Sequence, residues 1–141
     1  NQQEEVPNQI SSGDLVCMVE RENGENSYQY IGTYNFTNGK VTTLEHEVLM
    51  QGDADALNDR YNECQLLQSN ANMLTGVNID CNLSSDQMVE TQFFNLANFD
   101  VEQLTPGFSE AGGVYPNAQN GDSYEEVQRT MEMSGYQCEV R

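Results

Sequence analysis

The chain has 141 residues, of which 23 are acidic and 5 are basic, so its formal net charge is −18. This length suits a single domain. Such a negative surface repels phosphates, which argues against binding to nucleic acid or to anionic lipid. No apolar run approaches the roughly 18 residues that a membrane-spanning helix requires. Composition thus excludes several classes of protein without indicating an activity.

The first thirteen residues are polar, include Pro7 and lack periodicity, so we expect a flexible tether over 1–13 and a single α+β domain over 14–141. Because the sequence opens at Asn1 rather than at Met, we expect a mature exported protein. Any membrane attachment would require an N-terminal anchor outside this sequence. A trimmed cytosolic protein is the alternative.

Three strands in a meander are predicted next. Apolar residues alternate in Asp14–Glu20, Ser27–Thr37 and Lys40–Met50. The pair Asn38-Gly39 favours a type I′ turn between the last two strands, because both residues tolerate a positive φ. Gly32 interrupts the aromatic row of the second strand, which indicates a bulge or a close contact.

The remaining elements complete an α+β pattern. A stripe of apolar residues predicts a long helix over Asp53–Leu74 with Asp53 as its N-cap. Later segments predict two strands, a long loop, a short helix and a final strand, over Val77–Leu83, Gln87–Phe99, Thr105–Asp122, Ser123–Gly135 and Tyr136–Val140. The predicted fold is therefore an antiparallel sheet of about six strands in the order βββ-α-ββ-α-β, packed by one long and one short helix.

The four cysteines are widely spaced, and no CxxC pair indicates a zinc or thioredoxin-like site. Two structural disulfides are predicted, with free buried thiols as the alternative. Cys17 lies on the inward face of the first strand and Cys138 on the inward face of the last strand. The two cysteines would come within bonding distance if the last strand returned beside the first. Cys64 lies on the buried stripe of the long helix, and Cys81 lies on the strand that follows it. The predicted pairs are therefore Cys17–Cys138 and Cys64–Cys81.

Several stretches give the chain a resemblance to a known family. They are the tether, the strand carrying Cys17, "YNFTNGKVTTLEHEV", the long helix, "GVNIDCNL", "NLANFDVEQL" and "SYEEVQRTMEMSGYQC". In order and pattern the chain resembles the small YehR-like bacterial lipoproteins of unknown function. The resemblance implies an α+β domain that is lipid-anchored outside the cytoplasmic membrane, and it supplies no catalytic residues.

No residue pattern indicates catalysis, a metal or a cofactor. His46 is the single histidine, and its apolar face predicts a core or edge residue rather than a general base. The acidic stretch from Asp53 departs from a calcium loop, since Leu57, Asn58 and Cys64 occupy its fifth, sixth and twelfth positions. These acidic residues are better explained as a helix N-terminus.

A non-catalytic, exported cell-surface domain that binds an unknown protein or small ligand is the predicted function. The long loop supplies the candidate binding surface, because Phe108, Val114 and Tyr115 are apolar residues on an irregular segment. The tyrosine row of the second strand is predicted to lie in the sheet core rather than to line a binding surface. A carboxylate-based extracellular hydrolase and a structural envelope spacer are the alternatives.

Overall fold

The structure, a computed structural model, describes residues 11–99 and 118–141. Within these ranges six strands form one antiparallel sheet in the order β4-β5-β3-β2-β1-β6. The elements are β1 (Gly13–Asn23), β2 (Asn26–Thr37), β3 (Lys40–Gln51), α1 (Ala54–Ala71), β4 (Val77–Leu83), β5 (Gln87–Asn95), α2 (Tyr124–Met133) and β6 (Gln137–Val140). This arrangement confirms the predicted six-stranded α+β fold and its order of elements.

Local turn chemistry explains the β1–β2–β3 meander. Asn38 and Gly39 adopt φ values of 54° and 76°, as a type I′ turn requires, and they join β2 to β3. Gly32 marks a close contact, because a Cβ added there would lie 3.2 Å from the ring of Tyr34. The irregularity in the ladder lies further along, between Asn35 and Phe36.

α1 begins where the sequence predicts and ends earlier. The side chain of Asp53 accepts a hydrogen bond of 2.9 Å from the amide of Ala56, which caps the N-terminus. The helix ends at Ala71 rather than near Leu74, because the amides of Met73 and Leu74 bond to carbonyls three positions back. This tighter turn lets the chain reach β4.

α2 is tied to the β2–β3 hairpin. The ring of Tyr124 stacks on that of Phe36 with centroids 4.0 Å apart, and its amide donates to the carbonyl of Gly39 at 3.1 Å. Ser123 and Glu126 have the spacing of a capping box, but Ser123 makes no side-chain capping bond at the N-cap position, so the box does not form. Gly135 follows the helix at a φ of 96°, as the prediction required.

One face of the sheet carries the core, and both helices lie on that face. α1 contacts β4 and β5, whereas α2 contacts β1 and β6. Fully buried side chains gather at the end of the sheet that includes Leu15, Tyr34, Leu44 and Phe94. β2 and β3 form the centre of the sheet. The apolar residues on both faces of Gln87–Phe99 favour a central strand, but β5 lies one place from the edge, between β3 and β4.

Two disulfides fasten opposite sides of the sheet, in the pairs predicted from the sequence. Cys17 and Cys138 face each other on β1 and β6, with Cα atoms 4.0 Å apart. Cys64 joins α1 to Cys81 on β4 across a Cα distance of 6.0 Å. Structural disulfides of this kind are typical of an oxidising, extracytoplasmic environment.

Candidate functional site

A cleft of about 460 Å³ opens on the helix-bearing face, at the end of the sheet opposite the buried aromatic core. Its floor comes from β2, β3 and β5, one wall comes from α1, and the other comes from the end of β1. We call it the sheet-end cleft. Its lining residues are Arg21, Asn23, Tyr28, Tyr30, Val48, Met50, Arg60, Glu63, Met88 and Glu90.

Strand register places these side chains together. Tyr28 lies opposite Met50, and Met50 lies opposite Met88, so one row crosses three strands on one face. The neighbouring row contains Tyr30 and Val48 in the same way. Tyrosine and methionine side chains thus give the cleft an aromatic and apolar floor.

The predicted tyrosine row divides between core and cleft. Tyr34 is fully buried, as expected for a core residue. Tyr28 and Tyr30 are half-buried instead, with ring centroids 6.0 Å apart and planes 15° from parallel. Burial raises the pKa of the Tyr30 hydroxyl, and nearby Tyr28 and Tyr136 raise it further. Tyr30 is therefore a neutral phenol at physiological pH, able both to donate and to accept a hydrogen bond.

A buried ion pair forms the wall beside α1. Arg60 donates to Glu90 from Nε, at 2.8 Å, and also from Nη2. The other oxygen of Glu90 accepts from the Gln92 amide, and Arg60 Nη1 reaches Glu63 at 3.3 Å. A guanidinium therefore fills the space between the two carboxylates of the cleft, where an acid–base pair of a hydrolase would need its substrate.

Arg21 supplies a second cation at the opposite wall. Its Nη2 donates to the carbonyl of Ser134 at 3.1 Å, at the C-terminal end of α2. Among residues 11–99 and 118–141, no carboxylate lies within ion-pair distance of Arg21. Two of the five basic residues of the chain thus line one cleft in a protein of net charge −18.

The sequence-predicted site residues have different outcomes. Phe108, Val114 and Tyr115, the predicted binding surface, lie outside the described residues, as do residues 1–10 of the predicted tether. His46 lies on the core side of β3, opposite Gly32 and Gln92, and is not one of the residues that line the cleft. Burial lowers its pKa to about 4, and its Nε2 has no hydrogen-bond partner in the described part of the chain.

Sequence reasoning missed the charged residues of the cleft. Arg21 lies on the same core-facing side of β1 as the apolar residues Leu15 and Val19. Glu90 lies, together with Gln92, between two apolar residues on the core face of β5. A polar residue on such a face is the signal that could have found them. Arg60 carries no comparable signal, since it is one of many polar residues on α1. Its partner Glu90 lies thirty residues later in the chain.

Within 11–99 and 118–141, no group of three or more His, Cys, Asp and Glu side chains is arranged to hold a metal ion. No helix in these same ranges is long and apolar enough to cross a membrane.

Comparison with known proteins gives a fold relationship. No protein-family model matches the chain, and no curated protein sequence matches it. Two solved structures are similar. An NMR structure of a Streptococcus pneumoniae TIGR4 protein matches with a TM-score of 0.64 and 12% identity, covering 99% of this chain and 94% of the other. The NMR structure of Escherichia coli YehR matches with a TM-score of 0.62 and 16% identity, covering 94% and 93%. The chain thus has a YehR-like fold.

Proposed function

We propose that this protein is a non-catalytic, extracytoplasmic binding domain, attached to the cell surface, that holds a ligand in the sheet-end cleft. The observation that carries the proposal is the cleft itself. Its volume of about 460 Å³ falls in the range of ligand pockets, and half-buried tyrosines form part of its apolar floor. Tyrosine in such a place offers a flat apolar surface and a hydroxyl to the same ligand.

The chemistry of the lining favours a ligand with an aromatic or aliphatic body and one anionic group. The body would lie on Tyr28 and Tyr30, whose rings are almost parallel. Arg21 is available for the anionic group, because the hydrogen bond to Ser134 occupies one of its five N–H donors. Arg60 is committed to Glu90 and Glu63 and so shapes the wall.

Binding is favoured over the two alternatives for physical reasons. A hydrolase would use Glu63 and Glu90, the two acidic residues of the lining, but both are bonded to Arg60. An envelope spacer has no use for half-exposed aromatic residues in a concave site. Attachment at the cell surface rests on the two disulfides together with the resemblance to anchored lipoproteins.

Methionine methyl groups give a direct test. Met50 and Met88 line the cleft, whereas Met73 and Met133 are exposed on other surfaces. With indole and benzoate as probes, we expect the methyl NMR signals of the first pair to shift in a saturable way and those of the second pair to stay in place. Equal shifts in both pairs, or none in either, would contradict the proposal.

Two variants locate the effect. Tyr30→Ser removes a ring from the cleft floor and should abolish the shifts. Tyr61→Ser is the matched control, because Tyr61 is a partly buried tyrosine of α1 outside the cleft lining. Attachment is tested separately, by protease treatment of intact native cells that carry the full-length protein. Protection of the domain from the protease would contradict its exposure at the cell surface.

A further inference from the structure

β1 is longer than the strand that covers its outer edge. β6 pairs with β1 over Leu15–Met18, while β1 itself continues to Asn23. The outer edge of β1 from Val19 to Asn23 therefore has no strand partner in residues 11–99 and 118–141. We call this segment the free edge.

Hydrogen-bond register shows which backbone groups the free edge presents. Asp14 and Arg141 exchange two backbone hydrogen bonds, of 3.0 and 2.8 Å. In an antiparallel ladder such pairs recur at every second residue. The outward N–H and C=O groups therefore belong to the even-numbered residues of β1. Past the end of β6 these are Glu20 and Glu22, which together present two donors and two acceptors.

Among the described residues the free edge is accessible, whereas α1 is bonded to the strand at the opposite edge of the sheet. A recess of about 350 Å³ lies beside Glu20, between β1 and the turn at Gly135 that leads into β6. On the other side of the sheet, Gln68 of α1 donates to the carbonyl of Ile79 at 2.9 Å, and a disulfide holds α1 on β4. Native proteins usually cover or block an edge strand in this way.

We propose that the free edge binds an extended, basic peptide segment of a partner protein by β-strand addition. Peptide backbone groups would pair with those of Glu20 and Glu22, and the residues opposite would be Lys or Arg. Both glutamate side chains are exposed, and the net charge of −18 attracts a basic segment. A second copy of this chain is disfavoured, because it would bring like charges together at the same edge.

The probe is a peptide of sequence Val-Lys-Val-Lys-Val with blocked ends. Paired with the free edge, its lysines lie opposite Glu20 and Glu22, so the lysine N–H groups point to the protein and the valine N–H groups point to solvent. We expect hydrogen exchange at the Glu20 and Glu22 amides to slow by at least about tenfold at saturation. Methylation of both lysine amide nitrogens should abolish binding, whereas methylation of the central valine nitrogen should preserve it.

Equal binding of the two methylated peptides would overturn the proposal, because it would mean that charge alone holds the peptide. A charge exchange tests the side chains: the Glu20→Lys/Glu22→Lys variant should lose this peptide and bind Val-Glu-Val-Glu-Val. The exposed pair Glu45→Lys/Glu125→Lys changes net charge equally at distant sites and should keep the original preference. Protection of the same two amides in a dimer without peptide would make a second copy the occupant and refute the proposal.

Peptide binding at the free edge does not depend on ligand binding in the sheet-end cleft. Tyr30→Ser, which should abolish binding of indole and benzoate, should leave the affinity for the lysine peptide unchanged. Failure of one proposal is therefore distinguishable from failure of the other.

Discussion

Removal of Arg60 should destabilise the fold far more than removal of the exposed carboxylate that it also contacts. The Glu90 side chain is 3% exposed, that of Arg60 is 22% exposed, and that of Glu63 is 55% exposed. An ionised carboxylate that stays buried after losing its partner typically costs about 3–5 kcal/mol. For Arg60→Met we therefore expect a loss of about 3 kcal/mol or more in the free energy of unfolding.

Glu90→Gln should change the free energy of unfolding in opposite directions with and without Arg60, and a loss of packing alone would not produce this reversal. Glu90→Gln should cost about 1–3 kcal/mol in the native protein, because Arg60 loses its charged acceptor. In the Arg60→Met background the same change should stabilise the protein, because it removes an unpaired buried charge and still leaves an acceptor for Gln92. Glu63→Gln is the exposed control and should cost about 0–1 kcal/mol.

Urea unfolding with both disulfides intact measures the change in the free energy of unfolding for each of the four variants: Arg60→Met, Glu90→Gln, the combination of these two, and Glu63→Gln. The same series should show a fall in the thermal midpoint for Arg60→Met of about 10 °C. The reasoning is refuted if Arg60→Met costs no more than Glu63→Gln, or if Glu90→Gln destabilises both backgrounds equally.

Two further predictions concern the cysteines and the histidine. Peptide mapping without reduction should recover Cys17–Cys138 and Cys64–Cys81, and a Cys17–Cys64 fragment would contradict the structure. These disulfides have sequence separations of 121 and 17 residues, so they should add roughly 4–5 and about 3 kcal/mol to the free energy of unfolding. Because burial lowers the pKa of His46 from 6.5 to about 4, the unfolded chain binds more protons than the folded protein between these values. The free energy of unfolding should therefore decrease as the pH is lowered through that window. The slope should reach about 1.4 kcal/mol per pH unit and should flatten in His46→Phe, and an unchanged slope in that variant would assign the effect to other groups.

Local patterns predicted the parts of this fold that depend on local chemistry. The Asn38-Gly39 turn, the Asp53 cap and the alternation of β1 to β3 each follow from a few neighbouring residues. The disulfide pairs were also predictable, because each cysteine shares a face with apolar residues of its own element. The end of α1 was not, since tertiary connection to β4 overrides the continuing stripe at Leu74.

The candidate site was less accessible to prediction, because its residues meet through long-range pairing. Arg60 and Glu90 meet across a helix and a strand that are separated in sequence. The tyrosines of β2 cannot be told apart from the sequence pattern, yet the burial of each one depends on what covers its end of the sheet. Tyr34 lies at the end closed by apolar side chains, whereas Tyr28 lies in the cleft.

The distribution of cross-links helps to explain how the open end of the sheet is tolerated. Tyr28, Tyr30 and Val48 stay half-buried there, so the chain forgoes part of the hydrophobic stabilisation that a closed end would give. Each disulfide instead restricts the unfolded chain and leaves the cleft surface unchanged. The Cys17–Cys138 disulfide joins β1 to β6 and the Cys64–Cys81 disulfide joins α1 to β4, so the sheet is cross-linked on both sides of the central strands β2 and β3 while one end remains uncovered. A rigid frame with one open end is the arrangement that a preorganised binding site requires.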